Sequence, residues 1–214
     1  GFQGIDEELD ITTLGRGGSD TTAVALAAVL GAASCEIHTD VDGVFTTDPR
    51  LLKEARRMGR ISYDEMLELA SLGAGVMHNR SIEFAKKYSV PIHVRNSSNE
   101  NPGTVITATN EPGVPAVRCA ALSTHDARIT LVGVPDVPGT SLEIFSRIAD
   151  HEITVDMIVQ NVGEEGKSDL SFTVPREELE ITLETIEGAA QALQADAVLH
   201  DDGVAKVSVV GIGM

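Results

Sequence analysis

The sequence predicts an α/β protein in two parts, a layered αβα portion followed by a ferredoxin-like βαββαβ portion. Three observations carry this. Over residues 1–95 strand-like and helix-like segments alternate, the pattern of a mostly parallel sheet covered by helices. Over 127–200 the apolar spacing switches between strand and helix periods in the order βαββαβ. The stretch Ala127-Arg-Ile-Thr-Leu-Val-Gly-Val134 also lines up with Ala205-Lys-Val-Ser-Val-Val-Gly-Ile212, offset by 78 residues and identical or chemically similar throughout. A βαββαβ unit is about that long, so the chain is expected to reach the first strand of a second copy.

The elements follow in order. Asp10–Leu14 is short and β-prone, and a glycine-rich turn leads into Asp20–Leu30, whose Ala and Leu content predicts a buried helix. Cys35–Thr39 is a strand. Ser62-Tyr-Asp-Glu65 has the spacing of a capping box and opens a helix over Asp64–Leu72. A further helix covers Ser81–Tyr88, and Pro91–Arg95 is a strand. Residues 96–115 are rich in Asn, Ser and Pro and read as a linker with an edge strand at Thr104–Thr107. The domain boundary is placed at 115, so that the first domain is 1–115, the second 116–204, and 205–214 opens the repeat. In the second domain Ile129–Val134 is a strand, and Thr140–His151 is a helix with Leu142, Phe145 and Ile148 on one face. Val155, Met157 and Val159 alternate along a strand, as do Leu170, Phe172 and Val174. Leu179, Leu183, Ile186, Ala190 and Leu193 mark a second helix, and Val198 lies in a last strand.

Composition bounds the function. With 33 acidic and 16 basic residues the net charge is −17, which speaks against nucleic acid or an anionic membrane as a partner, since both need a basic face. Cys35 and Cys119 have no metal-type spacing and fit a cytoplasmic protein with reduced thiols. No apolar run has transmembrane length and no signal peptide is recognisable. The chain opens on Gly-Phe-Gln-Gly and closes on Val-Gly-Ile-Gly-Met within an element, so a piece of a longer protein is expected.

Two loops carry the chemistry. Thr12-Thr-Leu-Gly-Arg-Gly-Gly-Ser-Asp-Thr-Thr22 sits between a strand and a helix. Gly15, Gly17 and Gly18 allow close backbone approach, Ser19 or Asp20 is the expected helix cap, and the open amides with Arg16 form an anion site. It is neither a Walker A loop nor a dinucleotide fingerprint. A turn that only tightens the junction is the alternative. Thr39-Asp-Val-Asp-Gly-Val-Phe-Thr-Thr-Asp-Pro-Arg50 follows a strand at the carboxyl end of the sheet, where open α/β folds bind ligands. Asp40 and Asp42 suit ribose hydroxyls or Mg²⁺ organisation and Arg50 suits phosphate; a plain solvated turn is the alternative, while the spacing does not fit an EF-hand.

TTLGRGGSDTTA and TDVDGVFTTDPR, in this order, resemble the aspartate kinases of the amino-acid kinase family. LGAGVMHNRSIEFAKKYSVPIHVRNS resembles the segment that follows, and VPDVPG with ITVDMIVQNV resembles the first of two amino-acid-sensing ACT domains. The resemblance implies the C-terminal part of an amino-acid-kinase αβα sandwich, then a ferredoxin-like ACT domain. It implies ATP-dependent phosphorylation of the L-aspartate side chain to 4-phospho-aspartate, the first step toward lysine, threonine and methionine, with Mg²⁺ accompanying ATP. Arg16, Gly17, Gly18 and Ser19 would bind aspartate, and Asp20 and Arg16 would serve the transferring phosphoryl group. Ser19, Thr39, Asp40, Phe45, Thr46, Thr47, Asp48, Pro49 and Arg50 would line the ATP site. Asp136, Val137, Pro138, Gly139, Thr140, Ser141, Thr154, Val155, Asp156 and Gln160 would hold lysine or threonine, in a homo-oligomer built through ACT domains. No protein metal site is implied.

Departures from the family pattern are local. A Lys-Phe/Tyr-Gly-Gly segment, whose Lys neutralises ATP phosphates, is not among these residues, so phosphotransfer by this chain alone is not expected. Gly75 stands where a Lys is usual, with Arg80 or Lys86 as substitutes, and Phe45 replaces a Tyr. Two other functions compete: another amino-acid kinase, which the ACT-like portion disfavours, and a non-catalytic regulatory subunit, which the presence of both loops disfavours.

Overall fold

The structure, a computed structural model, describes residues 2–73, 75–109, 113, 115–162 and 166–211. The chain forms two compact units, 1–122 with 207–214, and 123–206.

The first unit opens with β1 (Gln3–Ile5) paired antiparallel to β2 (Ile11–Thr13), followed by α1 (Gly18–Val29) and β3 (Cys35–Thr39). Then come β4 (Arg60–Ser62), α2 (Tyr63–Ser71), α3 (Asn79–Tyr88), β5 (Ile92–Asn96), β6 (Thr104–Thr107) and β7 (Cys119–Ser123). The central sheet has the order β3-β5-β6-β4. β3 with β5 and β4 with β6 run parallel, but β5 and β6 are antiparallel, so the sheet is mixed. The short 97–103 connection explains this, because a parallel crossover needs a dozen or so residues. Thr104–Thr107 is therefore not the expected edge strand. It lies inside the sheet with Thr104 and Ile106 fully buried, and the Thr104 hydroxyl donates to Met58 O at 2.6 Å and accepts from Val44 N at 2.8 Å.

Ile61, Met66, Ile82, Ile92, Val94 and Ile106 form the core of this unit. The expected capping box is present: Ser62 Oγ accepts from Glu65 N, and Glu65 reaches back to Ser62 N. The expectation of a buried helix over Asp20–Leu30 is corrected. Only the Val24/Ala27 stripe of α1 is buried, while Leu26, Val29 and Leu30 are exposed. Leu26 lies about 200° around the helix from Val24, so the sheet side cannot cover both. Apolar composition without a one-sided stripe did not reveal which face would find a neighbour.

The second unit consists of β8 (Asp126–Pro135), α4 (Thr140–Asp150), β9 (Ile158–Val162), β10 (Lys167–Pro175), a 3-10 turn at Arg176–Glu178, α5 (Leu179–Ala192) and β11 (Ala197–Asp201). Its antiparallel sheet has the order β11-β8-β10-β9, the expected βαββαβ arrangement. Leu170, Phe172 and Val174 alternate inward as expected and meet Ile144, Ile148 and Ile186 from the two helices. Two details are corrected. Leu142 is 72% exposed, because the buried stripe of α4 is Thr140, Ile144, Ile148 and Leu142 sits about 200° away from its first two members. The second strand of this unit starts at Ile158 rather than Val155. Residues 156 and 157 are tied to Thr173 irregularly, Met157 N taking the Thr173 hydroxyl as acceptor at 3.1 Å instead of a ladder carbonyl.

β12 (Lys206–Val210) pairs with β7 as a two-stranded ribbon in the first unit. It covers the repeat except Ala205, which precedes it, Gly211, which follows it, and Ile212, which lies outside the described residues. Among the described residues no helix is long and apolar enough to cross a membrane.

Candidate functional site

The glycine-rich loop is built by backbone geometry. Gly15 and Gly17 have φ of 75° and 69°, the left-handed region where a side chain is strained. A Cβ on Gly17 would lie 2.2 Å from the His78 Cβ, so the absence of a side chain lets the start of α1 press against the residue that caps α3. Gly17 itself is the N-cap of α1, which corrects the expectation that Ser19 or Asp20 caps it. The left-handed turn at Gly17 starts the helix at Gly18, so Ser19 and Asp20 fall within its first turn. No side chain caps this helix; Gly18 N donates to Gly15 O at 3.1 Å, and the amides of Ser19 and Asp20 in the first turn are the ones available to an anion. The hydroxyls of Thr21 and Thr22 donate back to Gly17 O and Gly18 O at 3.1 and 2.8 Å. Arg80 Nη2 donates to Leu14 O at 2.9 Å and fastens the loop to α3.

A cavity of about 480 Å³ opens here. Arg16, Gly17 and Asp20 line one side, and Gly73, Gly75, Val76, Met77, His78 and Asn79 line the other with Ala70. Burial pushes the Asp20 carboxyl above its usual range, and the nearby His78 opposes the shift. Arg16 is exposed and half-buried Asp20 faces the same space, so a cation, open amides and a carboxylate surround one volume. Gly75, where the family cation is expected, lines it too, and a side chain added there would meet nothing within 4 Å.

The acidic loop is organised differently. Thr39 ends β3 and Asp40 follows it, with the Thr39 hydroxyl donating to Asp40 Oδ1 at 3.0 Å. Asp42 accepts from the side-chain amides of Asn96, Asn99 and Asn101 at 2.7, 2.9 and 2.9 Å, and these bonds hold its carboxyl below the usual range. Phe45 bridges to Arg57. Thr46 is fixed from two sides: its N–H donates to Arg56 O at 2.9 Å, and its carbonyl accepts from Ala120 N at 2.8 Å. Thr47 is half-buried and Pro49 exposed. Asp48 takes Arg50 through Nε at 3.0 Å and Nη2 at 2.7 Å, which lowers the Asp48 carboxyl pKa, while the Arg50 side chain stays 88% exposed. Among the described residues Thr39–Arg50 do not line the Asp20 cavity.

In the second unit Gly139, at φ 104°, is the N-cap of α4, again without a capping side chain. Thr140 Oγ1 donates to Pro135 O at 2.7 Å. Asp136 Oδ1 accepts from Gln160 Nε2 at 3.2 Å, and the same amide reaches Ser168 Oγ at 3.1 Å. Asp136, Gln160 and the start of α4 with Val137, Pro138 and Ser141 thus share one end of the sheet. Thr154, Val155 and Asp156 do not join them. Asp156 N donates to Thr173 O, and Thr173 pairs with Arg128, whereas Asp136 follows the Pro135–Lys167 pair at the far end of the same strands. The Asp156 carboxylate is occupied by Lys206.

Sequence reasoning missed His78, which the Gly17 contact places at the cavity, and the asparagines that hold Asp42. The Asn-rich run at 96–101 reads as linker until the chain folds back along β5 and β6. Among the described residues no group of three or more His, Cys, Asp or Glu is arranged to hold a metal.

Comparison with known proteins identifies both portions of the chain. Residues 1–96 match the amino acid kinase family and 128–191 match the ACT domain. The whole chain is 51% identical to an aspartate kinase of Pseudomonas putida and 50% identical to an aspartokinase of Helicobacter pylori, covering 53% and 54% of those proteins. The chain thus spans about half the length of the curated relatives it matches. Among solved structures, aspartate kinase from Clostridium acetobutylicum superposes with a TM-score of 0.85 at 26% identity, over 100% of this chain and 49% of that one. E. coli aspartokinase III, solved with lysine and aspartate, superposes at 0.75 with 31% identity, over 99% and 47%.

Proposed function

Since this chain belongs to the aspartate kinase family, with an amino acid kinase portion joined to an ACT domain, we propose that the whole protein transfers the γ-phosphoryl group of ATP to the side-chain carboxylate of L-aspartate, under feedback from amino acids. The observation that carries this reading is the single cavity shared by Arg16, the open amides of α1 and Asp20. Phosphoryl transfer requires positioning and charge neutralisation more than covalent chemistry. A helix N-terminus and a guanidinium supply both to an anionic substrate.

In this reading Arg16, Gly17, Gly18 and Ser19 hold aspartate, and Asp20 orients the transferring group. The segment Thr39–Arg50, with Ser19, receives ATP: Phe45 offers its ring, and exposed Arg50 has only to leave Asp48 to meet a phosphate. Mg²⁺ arrives with the nucleotide, where one or two carboxylates suffice to hold it, and Asp20 is the carboxylate that fits; the ion neutralises phosphate charge. Feedback by lysine or threonine engages Asp136–Ser141 and Gln160. Thr154–Asp156, at the far end of the sheet, complete a pocket only if a second copy supplies them. The edge strand β9 with exposed Met157, Ile158 and Val159 supports a homo-oligomer of that kind. A cytoplasmic biosynthetic enzyme fits all of these features.

The test uses the full-length enzyme with ATP and a panel of aspartate, glutamate and N-acetylglutamate. Acyl phosphate trapped as the hydroxamate should form with aspartate alone, and transfer to glutamate without aspartate would overturn the reading. Lysine or threonine should reduce the rate.

A further inference from the structure

Both covalent connections to the second unit leave from one place. β7 runs into residue 123 and β12 begins at residue 206, the two points where the chain passes between units, and these strands pair with each other. The ribbon is pinned within the first unit by a buried ion pair. Arg118, whose N–H donates to Val210 O at 2.9 Å, directs Nη1 to Glu65 Oε2 at 3.1 Å and Nη2 to Arg60 O at 2.9 Å. Its side chain is 5% exposed and that of Glu65 6%. Glu65 is itself fixed, since the same oxygen accepts from Ser62 Oγ at 2.9 Å at the cap of α2. Two residues beyond Arg118, Ala120 N donates to Thr46 O at 2.8 Å. Thr46 lies in the middle of the acidic loop, and its hydroxyl and N–H tie that loop to Arg56.

We propose that Arg118, held by Glu65, is a positioning residue for the Phe45–Thr47 segment, acting through β7. The proposal rests on the reading of that segment as the nucleotide loop. The chemistry of the pin favours position over stability. A forked guanidinium that bridges a carboxylate and a carbonyl fixes both distance and angle, whereas an ammonium fixes neither. A buried ion pair is weak evidence for net stabilisation, and fixing one arrangement is its best-attested use. Both crossings depart from the pinned ribbon: along β7 the backbone from residue 123 reaches Ala120, bonded to Thr46, and then Arg118, while β12 reaches Arg118 through Val210 O.

Full-length Arg118→Lys and Glu65→Gln proteins test this. The first keeps the charge and loses the fork; the second keeps the shape and an acceptor for Ser62. Hydrogen exchange followed by mass spectrometry reads the loop independently of activity. Exchange across residues 44–48 should quicken about tenfold in both variants, while 92–94 and 129–131 keep their protection and report an intact fold. In kinetics KM for ATP should rise about fivefold with KM for aspartate unchanged, because only the nucleotide loop is displaced. If 119–122 loosen while 44–48 do not, or if both KM values stay put in a folded variant, the proposal is overturned. If Arg118→Lys does not accumulate as folded protein, Glu65→Gln decides alone. Should the unsubstituted enzyme fail to phosphorylate aspartate, the kinase reading falls and the exchange comparison still decides whether Arg118 positions the loop.

Discussion

The loops at 15–20 and 39–50 both combine glycine, Asp, Arg and a hydroxyl residue, Ser in the first and Thr in the second, yet the fold uses them in different ways. The first leaves its polar groups facing a cavity: the amides of α1 are uncapped, Arg16 is exposed and Asp20 is half-buried with its carboxyl raised by desolvation. The second satisfies itself. Asp42 is surrounded by three asparagine amides, Asp48 holds Arg50, and Thr46 is bonded on both sides. Hydrogen-bond accounting, rather than residue type, separates a surface waiting for a ligand from one that is holding a chain in place. The same accounting predicts that polar substitutions in the first loop remove activity and spare the fold, whereas those in the second loosen structure first.

The largest expected effect tests the first half of that contrast. In the full-length enzyme Asp20→Asn should lower kcat by about 10²–10³-fold, as removal of a preorganised charge does. Its melting temperature should stay level or rise by up to about 2 °C. The sign follows from the raised carboxyl: protonated Asp20 favours the folded state, and that contribution fades as pH rises through the folded pKa. The asparagine, which never ionises, therefore gains most near neutral pH and nothing below about pH 4. A melting temperature that falls by several degrees would show that Asp20 is a structural group like Asp42.

Next in size is Gly17→Ala. The left-handed φ and the 2.2 Å approach to His78 act together, for a loss of about 2–5 kcal/mol in urea unfolding. Gly75→Ala provides the internal control, since open space surrounds it and φ is not positive, and it should shift stability by less than about 1 kcal/mol. Equal losses at the two glycines would remove the argument that close approach at Gly17 shapes the cavity.

Asp42 tests the second half. Asp42→Asn replaces an acceptor-only carboxylate with an amide that presents an NH₂ to three donors, so the 96–101 loop should lose protection from hydrogen exchange while aspartate KM holds steady. Because its carboxyl is depressed, the order that Asp42 confers is present above the usual carboxylate range and is lost as pH falls through the folded value. Protection of 96–101 in the unsubstituted protein, taken relative to the intrinsic exchange rate at each pH, should therefore fall below about pH 4, and a flat profile of protection would separate Asp42 from the loop.

What was legible in the sequence follows the range of the interactions. The capping box at Ser62–Glu65, the alternation of Leu170, Phe172 and Val174 and the βαββαβ order are local signals and appear as written. The glycine loop was legible because Gly15 and Gly17 satisfy local backbone demands. Pairings across sequence distance were not: β1 and β7 have only three and five residues, and β6 moved from edge to interior because its partners are set by a short hairpin and by Thr104 bonding back to 44 and 58. For the same reason the Asn96–Asp42 and Arg118–Glu65 contacts, 54 and 53 residues apart, left no trace in local pattern.

The smallest effect concerns the corrected face of α4. Leu142 has the helical spacing of a core residue relative to Phe145, yet it is exposed, while Ile144 is fully buried against β8 and β10. Leu142→Ser should change the stability of the folded protein by no more than about 0.5 kcal/mol, whereas Ile144→Ala should cost about 2–5 kcal/mol by leaving a cavity beside Phe172. Urea midpoints at constant slope measure both. If full-length protein instead loses several kcal/mol at Leu142 in a concentration-dependent way, that face is covered by another copy in solution. The exposed side chain would then belong to an interface, and the contrast between ligand-ready and self-satisfied surfaces would need a third class: apolar faces completed by assembly.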